Sequence, residues 1–358
     1  MAINIDPRQD NPPARKNHSN YDWTDQEILT MIVNQESAKY DAILLAGEGE
    51  SSYKVLHQHK AFLRIKDKCL INYVIEAVQK VESVRDIYIV GSRAKLITTM
   101  EECGIDRQYP KKIYVLEQKA NLYENIWHAF LQTLPEQISE SELENSKYRD
   151  KAVLIAPCDA PLITPYELEY FISESDLENY DHIIGLTPAD CLRHFHPRDG
   201  KPGIEMAYLH LKENIYRANN LHMVKPIRIK NREYIREIYQ YRYQRNIKNF
   251  LLFGLSLYRN HQTSDLKYYF SLQLSLMFSK LGMESAVNFF RGWAPIKGLR
   301  QCVSHILRTR VWGLEMPFPG AALDIDNEHD YHAILQRFDE WTEYLAQLDK
   351  PQSLTLVK

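Results

Sequence analysis

Apolar and polar positions along the chain keep two rhythms in turn. Short unbroken apolar runs read as strands buried on both faces: AILLAG from Ala42, DIYIVG ending at Gly91, KIYVLEQ ending at Gln118, VLIAPCD from Val153 and HIIGLTP from His182. Between them, CLINYVIEAVQKV and NLYENIWHAFLQTL bring back an apolar residue every third or fourth position, and Pro165 to Ser173 supplies a further helix. Strand, helix, strand in this order predicts a parallel sheet with right-handed crossovers.

The flanks are patterned differently. Residues 1–20 are polar and proline-bearing, which predicts a disordered leader. A capping box from Thr24 to Glu27 opens a helix within residues 21–40. Beyond residue 200, MAYLHLKENIYRANNLHMV reads as two short strands around a polar turn at Glu213 and Asn214. From Asn231 to about Phe290 the pattern is mostly helical, first basic and tyrosine-rich, then apolar on one face. VWGLEM returns to strand, and EHDYHAILQRFDEWTEYL closes the pattern as an amphipathic helix. The layout expected is a core over 41–228, a helical insertion over 229–310, a final strand and helix over 311–346, and a tail over 347–358. The fold class is α/β, a mostly parallel Rossmann-like sheet flanked by helices.

Composition narrows the function. With 44% hydrophobic and 25% charged residues the chain reads as soluble and globular, and a formal net charge of −3 gives no reason to expect nucleic acid. Five scattered cysteines, none in a C-x-x-C pair, argue against a disulfide framework or zinc ribbon and fit a cytoplasmic setting. The most apolar run, FLLFGLSLY from Phe250, is less than half of the roughly 20 residues that cross a bilayer. The basic, tyrosine-rich stretch before it leaves open a peripheral membrane contact, against the plainer alternative of a subdomain packed on the sheet.

Ligands of open parallel sheets bind at the carboxyl ends of the strands, so polar residues there carry the chemistry. Three places qualify. The first strand runs into Gly47, where backbone can approach a ligand. Asp159 follows the strand VLIAPC, and because Thr164 is the better N-cap for the helix starting at Pro165, its carboxylate is left for a ligand such as Mg²⁺. Asp324 and Asp326 alternate in an extended segment and would face one side, with one of them expected to cap the last helix. The pairs His57/His59 and His194/His196 read as polar surface loops rather than a metal site, and Cys158 as a small buried thiol.

LLAG, KAFLRIKDKCLINYVIEAV, APCDAPLITPYEL and LDIDNEHDYHAI occur in the order and register of the MobA-like nucleotidyltransferases, which this sequence resembles over most of residues 41 to 190 and again at 321 to 335. The resemblance implies an enzyme that moves a nucleoside monophosphate from a nucleoside triphosphate to a phosphorylated acceptor (a sugar, polyol, amino-alcohol or lipid phosphate), with Mg²⁺ and release of pyrophosphate. It places Leu45, Ala46 and Gly47 against the nucleotide and Lys60 on phosphate. Gln118 and Asn121 fall in the stretch that meets base or acceptor, Asp159 and Asp326 on the metal, and Asn220 on the acceptor. One subgroup also carries a basic, leucine-rich helical insertion before its final strand. The sequence departs from the family at its first loop. Glu48 stands for the second glycine, and the triphosphate-binding arginine is replaced near Ser51 and Ser52, which leaves Lys54 as the substitute cation. Those departures admit a degenerate nucleotide-binding protein without turnover as an alternative, and the Asp324-Ile325-Asp326 motif admits another, a glycosyltransferase of the same overall fold that holds the metal of a nucleotide sugar.

Overall fold

The computed structural model describes residues 39–47, 54–102, 109–232, 235 and 263–349. The expected leader, most of the first helix, the loop holding Glu48, Ser51 and Ser52, much of the basic stretch before Thr263 and most of the tail lie outside them.

Each apolar run becomes a strand of one sheet: β1 (Tyr40–Ala46), β6 (Val84–Gly91), β7 (Ile113–Glu117), β8 (Val153–Pro157) and β9 (His182–Pro188). Two small hairpins, β2 (Lys54–Val55) with β3 (Gln58–His59) and β4 (Arg64–Ile65) with β5 (Lys68–Cys69), follow β1. The hairpin expected around Glu213 is β10 (Leu209–His210) and β11 (Ile215–Val224), and the last strand is β12 (Val311–Glu315). Across the sheet the order is β12-β9-β11-β8-β1-β6-β7. All neighbours along it are parallel except β11, which inserts antiparallel between β8 and β9.

This order fixes where a ligand can enter. From β1 the chain steps outward to β6 and β7, then returns to place β8 on the other side of β1. The crossovers on the two sides of β1 leave in opposite directions, so a crevice opens between the carboxyl ends of β1 and β8.

Alternate residues of the strands fill two layers. On one face, Ala42, Leu44, Ile87, Ile89, Leu154 and Ala156 meet α1 (Leu70–Gln79) and α4 (Pro165–Ser173) through residues such as Val74, Val78, Leu168 and Phe171. On the other, Ile43, Val90, Val153 and Ile155 meet Trp127 and Phe130 of α3 (Leu122–Gln132) and Cys302, Ile306 and Leu307 of α7 (Ile296–Leu307). Beside β6, α2 (Arg93–Glu102) buries only Leu96. Gly91 is required at the end of β6, because a Cβ there would lie 2.6 Å from the Ala46 carbonyl oxygen.

Within the expected insertion, α5 (Thr263–Lys280) and α6 (Glu284–Arg291) precede α7, and Leu272, Ala294 and Leu276 pack against Leu186 and Tyr216 of the sheet and Leu211 of the turn between β10 and β11. The terminal helix α8 (Glu328–Leu348) buries Tyr331, Ile334, Phe338 and Trp341 against Ile65, Leu70 and Phe195. No helix among the described residues is long and apolar enough to cross a membrane.

Candidate active site

The crevice between β1 and β8 gathers charge. Lys60, in a 3-10 turn (Lys60–Phe62) after the first hairpin, donates from Nζ to Asp326 Oδ1 at 2.8 Å and lies 3.3 Å from Asp159 Oδ2. Arg217 of β11 donates to Asp324 Oδ1 at 2.6 Å, with Asp326 Oδ2 3.8 Å away. Three carboxylates thus face two cations. Lys60 and Arg217 tie the loop after β8, the strand β11 and the segment before α8 into one cluster.

Local sequence explains how each group arrives. Leu323 and Ile325 are fully buried, so the residues alternating with them, Asp324 and Asp326, turn toward the cations. Neither aspartate caps α8, contrary to the sequence expectation. Asn327 is the cap, its Oδ1 accepting from Asp330 N at 2.9 Å while Asp330 Oδ2 accepts from Asn327 Nδ2 at 2.8 Å. The pleat of β11 breaks between Ala218 and His222, where Asn219 is buried opposite Gly185 and Asn220 takes a positive φ of 60°. Asparagine tolerates that conformation better than most residues. The break directs Asn220 Nδ2 to Asp324 Oδ2 at 3.3 Å.

Burial by itself would pull Lys60 down, but Asp159, Asp326 and Asp324 outweigh it, and the ammonium is held above the usual lysine value. For Asp159, burial raises the pKa, Lys60 opposes it, and the nearby Asp324 and Asp326 raise it further, to about 6. Negative charge is in excess at this point, the condition a divalent cation relieves. Asp159 and Asp326 offer hard oxygen donors, and two carboxylates suit Mg²⁺, which fills its other positions with water and phosphate oxygens. Among the described residues no group of three or more His, Cys, Asp or Glu side chains is placed to hold a metal.

At the other side of the crevice, Leu45 and Ala46 end β1 and Gly47 follows. A Cβ on Gly47 would lie 2.8 Å from Asn125 Nδ2 and 3.5 Å from Gln118 Oε1, so these polar groups converge on bare backbone. His59 Nε2 donates to the Gly47 carbonyl oxygen at 3.0 Å. Asn125, buried on α3, accepts from Lys119 N at 2.5 Å. Asn121 is the N-cap of α3, with Oδ1 accepting from Glu124 N at 2.9 Å. Lys54 is exposed on β2, opposite His59. The structure therefore groups Lys60, Asp159, Asp326 and Asn220, sets Gly47 near Gln118, and places Asn121 and Lys54 in a cap and on a hairpin edge. His194 stacks on Tyr344 with ring centroids 3.9 Å apart, and His196 Nε2 lies 2.7 Å from the Tyr208 hydroxyl. Cys158 is buried, and burial pushes its thiol well above the usual value.

Two site residues carry a faint sequence signal or none. Asn125 is a polar residue on an otherwise apolar helix face. Arg217 gives no local sign, because its place depends on β11 slotting between β8 and β9.

Glu167 lies just behind the site. It is fully buried on α4, its N–H donates to Thr164 Oγ1 at 3.1 Å, and its two carboxyl oxygens accept from Ala321 N at 3.1 and 3.0 Å. Burial raises its pKa to about 8, against the pull of the Ala321 and Thr164 amides and with a further push from Asp349. The folded state therefore keeps a proton that an unfolded chain releases near pH 4, and stability from this group falls as pH rises from about 4 to 8. Glu167→Gln is expected to raise the melting temperature relative to the parent at pH 8 and to leave it level at pH 4. Equal effects at both pH values, read by scanning calorimetry, would refute this.

Solved structures similar to the chain include a hypothetical transferase from Thermus thermophilus, at 17% identity and a TM-score of 0.49 over 82% of this chain and 99% of that one. A CMP:2-keto-3-deoxy-manno-octonic acid synthetase complexed with CTP is similar at 11% identity and 0.42, over 85% and 99%. A 4-diphosphocytidyl-2C-methyl-D-erythritol synthase from Anaerococcus prevotii is similar at 9% and 0.39, over 84% and 99%. No curated protein matches the sequence. The model of the MobA-like NTP transferase domain matches residues 42–251, more than half of the chain and including Gly47, Lys60, Asp159 and Arg217, and the protein belongs to that family.

Proposed function

We propose that the protein transfers a nucleotidyl group from a nucleoside triphosphate to a phosphorylated acceptor, with Mg²⁺ and release of pyrophosphate. The observation that carries this reading is the meeting of Lys60, Asp159 and Asp326 at the carboxyl ends of β1 and β8. The triphosphate enters over Gly47, where backbone lies bare and Gln118 and Asn125 offer hydrogen bonds. The acceptor approaches from β11, past Asn220.

In such a transfer an acceptor phosphate oxygen attacks the α-phosphorus and the bond to the bridging oxygen of pyrophosphate breaks. The acceptor is already ionised near neutral pH, so no general base is needed. Catalysis is alignment and charge neutralisation. Asp159 and Asp326 would hold Mg²⁺, which would supply Lewis-acid neutralisation of phosphate oxygens. Lys60, kept protonated by its carboxylate neighbours, meets the negative charge that builds on the departing pyrophosphate. Arg217 holds Asp324 in place and keeps the acidic segment folded toward the crevice.

The test is pyrophosphate release from each of the four nucleoside triphosphates against a panel of sugar, polyol, amino-alcohol and lipid phosphates with Mg²⁺. Release with one base and one acceptor class, abolished by EDTA, is the expected result. A panel without any release would remove the transferase reading.

A further inference from the structure

We propose that Glu167 is a positioning residue that sets the Asp324–Asp326 segment against Asp159. The inference rests on the reading of Asp159 and Asp326 as metal ligands. Residues 320–326 are tied at two points, once to the loop after β8 and once to the helix α4 that follows it. Glu167, at the start of α4, accepts from Ala321 N, and Asp159 O accepts from Ile325 N at 3.1 Å. One carboxylate of the site thus sits on the loop that the other carboxylate's segment is fastened to.

The contact is closed to side chains. A Cβ on Gly320 would stand 2.5 Å from Glu167 Oε2 and 2.5 Å from the Leu162 carbonyl oxygen, so residue 320 has to be glycine for the segment to seat. Capping α4 does not require this burial, because Thr164 already satisfies the Glu167 N–H, and an exposed glutamate three residues after an N-cap serves equally well. A carboxyl taken fully out of water costs free energy. What that burial gains here is the hydrogen bond that brings Ala321, and with it Asp324 and Asp326, to the site.

The test is binding of Mn²⁺ alone, followed by water-proton relaxation at a temperature where every variant is folded. The proteins are the parent, Asp326→Ala, Glu167→Ala, Glu167→Gln and Gly320→Ala. Asp326→Ala checks the ligand reading and is expected to lose Mn²⁺. Glu167→Ala and Gly320→Ala, which disturb the same contact from opposite sides, are expected to weaken Mn²⁺ by about tenfold, the usual range for groups that orient a ligand. Glu167→Gln keeps an accepting oxygen of the same reach and is expected within about threefold of the parent. A lower melting temperature in Glu167→Ala and Gly320→Ala with unchanged Mn²⁺ affinity would reduce Glu167 to a stabilising role and overturn the proposal. If Glu167→Ala does not fold, the Mn²⁺ affinity of Gly320→Ala decides between these two outcomes. Mn²⁺ binding that survives in Asp326→Ala would instead overturn the ligand reading and this inference with it.

Discussion

Asp159→Ala is expected to lower the rate of pyrophosphate release by about 10³-fold, a loss of roughly 4 kcal/mol of transition-state stabilisation, while leaving the melting temperature level or higher. The two halves of that result have separate causes. In the proposed reading the Asp159 carboxylate, just past the end of β8, is a metal ligand that added Mg²⁺ would not replace. In the folded protein, however, it is strained: burial and the neighbouring Asp324 and Asp326 push its pKa to about 6. Removing it relieves like-charge crowding, and the backbone carbonyl that accepts from Ile325 N is untouched. Lys60 keeps Asp326 as a partner at 2.8 Å. Activity lost together with stability would point to a scaffolding role, and activity within about threefold of the parent would exclude Asp159 from the chemistry.

Arg217→Ala is expected to act the other way, on folding first. Arg217 and Asp324 have side chains only 9% and 10% exposed, and their contact is 2.6 Å. Deleting the guanidinium leaves Asp324 buried with a single neutral donor from Asn220, and breaking a buried pair in this manner costs about 3–5 kcal/mol. Urea unfolding reads that cost directly. Arg217→Lys is expected to recover less than half of it, since the shorter, more strongly hydrated ammonium does not reach the place from which the single Nη2 donates to Asp324 and stands 3.8 Å from Asp326. A loss under about 1 kcal/mol in Arg217→Ala would mean that the acidic segment holds its place without the guanidinium.

The legible part of this molecule was the part set by local pattern. Thr164 caps the helix, and the helix runs from Pro165 to Ser173, because proline at the first turn and a threonine before it are sufficient local instructions. The strands surrounding β1 announce themselves because both of their faces are covered. Gly47 and Asp159 stand out as breaks just past the ends of β1 and β8, and Asp326 as the second of two alternating carboxylates before α8, in a segment that forms no strand. What stayed hidden depends on non-local pairing. Arg217 reads as one more basic residue in a hairpin until β11 inserts between β8 and β9 and aims it at residues about a hundred positions later. Glu167 reads as the last letter of a capping box, and only the arrival of Ala321 shows the second use of its carboxyl. The cap of α8 differs from the sequence expectation for a smaller reason. Asn327 and the aspartates before it are all good caps, and the alternation of buried Leu323 and Ile325 decides which of them is free for the site.

The measurement that bears most directly on the central claim is isothermal titration of the protein with ATP, GTP, CTP and UTP, each with and without Mg²⁺, alongside Asp159→Ala. The expected result is one triphosphate that binds with Mg²⁺, binds at least tenfold more weakly without it, and loses the metal-dependent part in the variant. Binding of no triphosphate at millimolar concentration with Mg²⁺ present, or binding indifferent to both metal and Asp159, would contradict it.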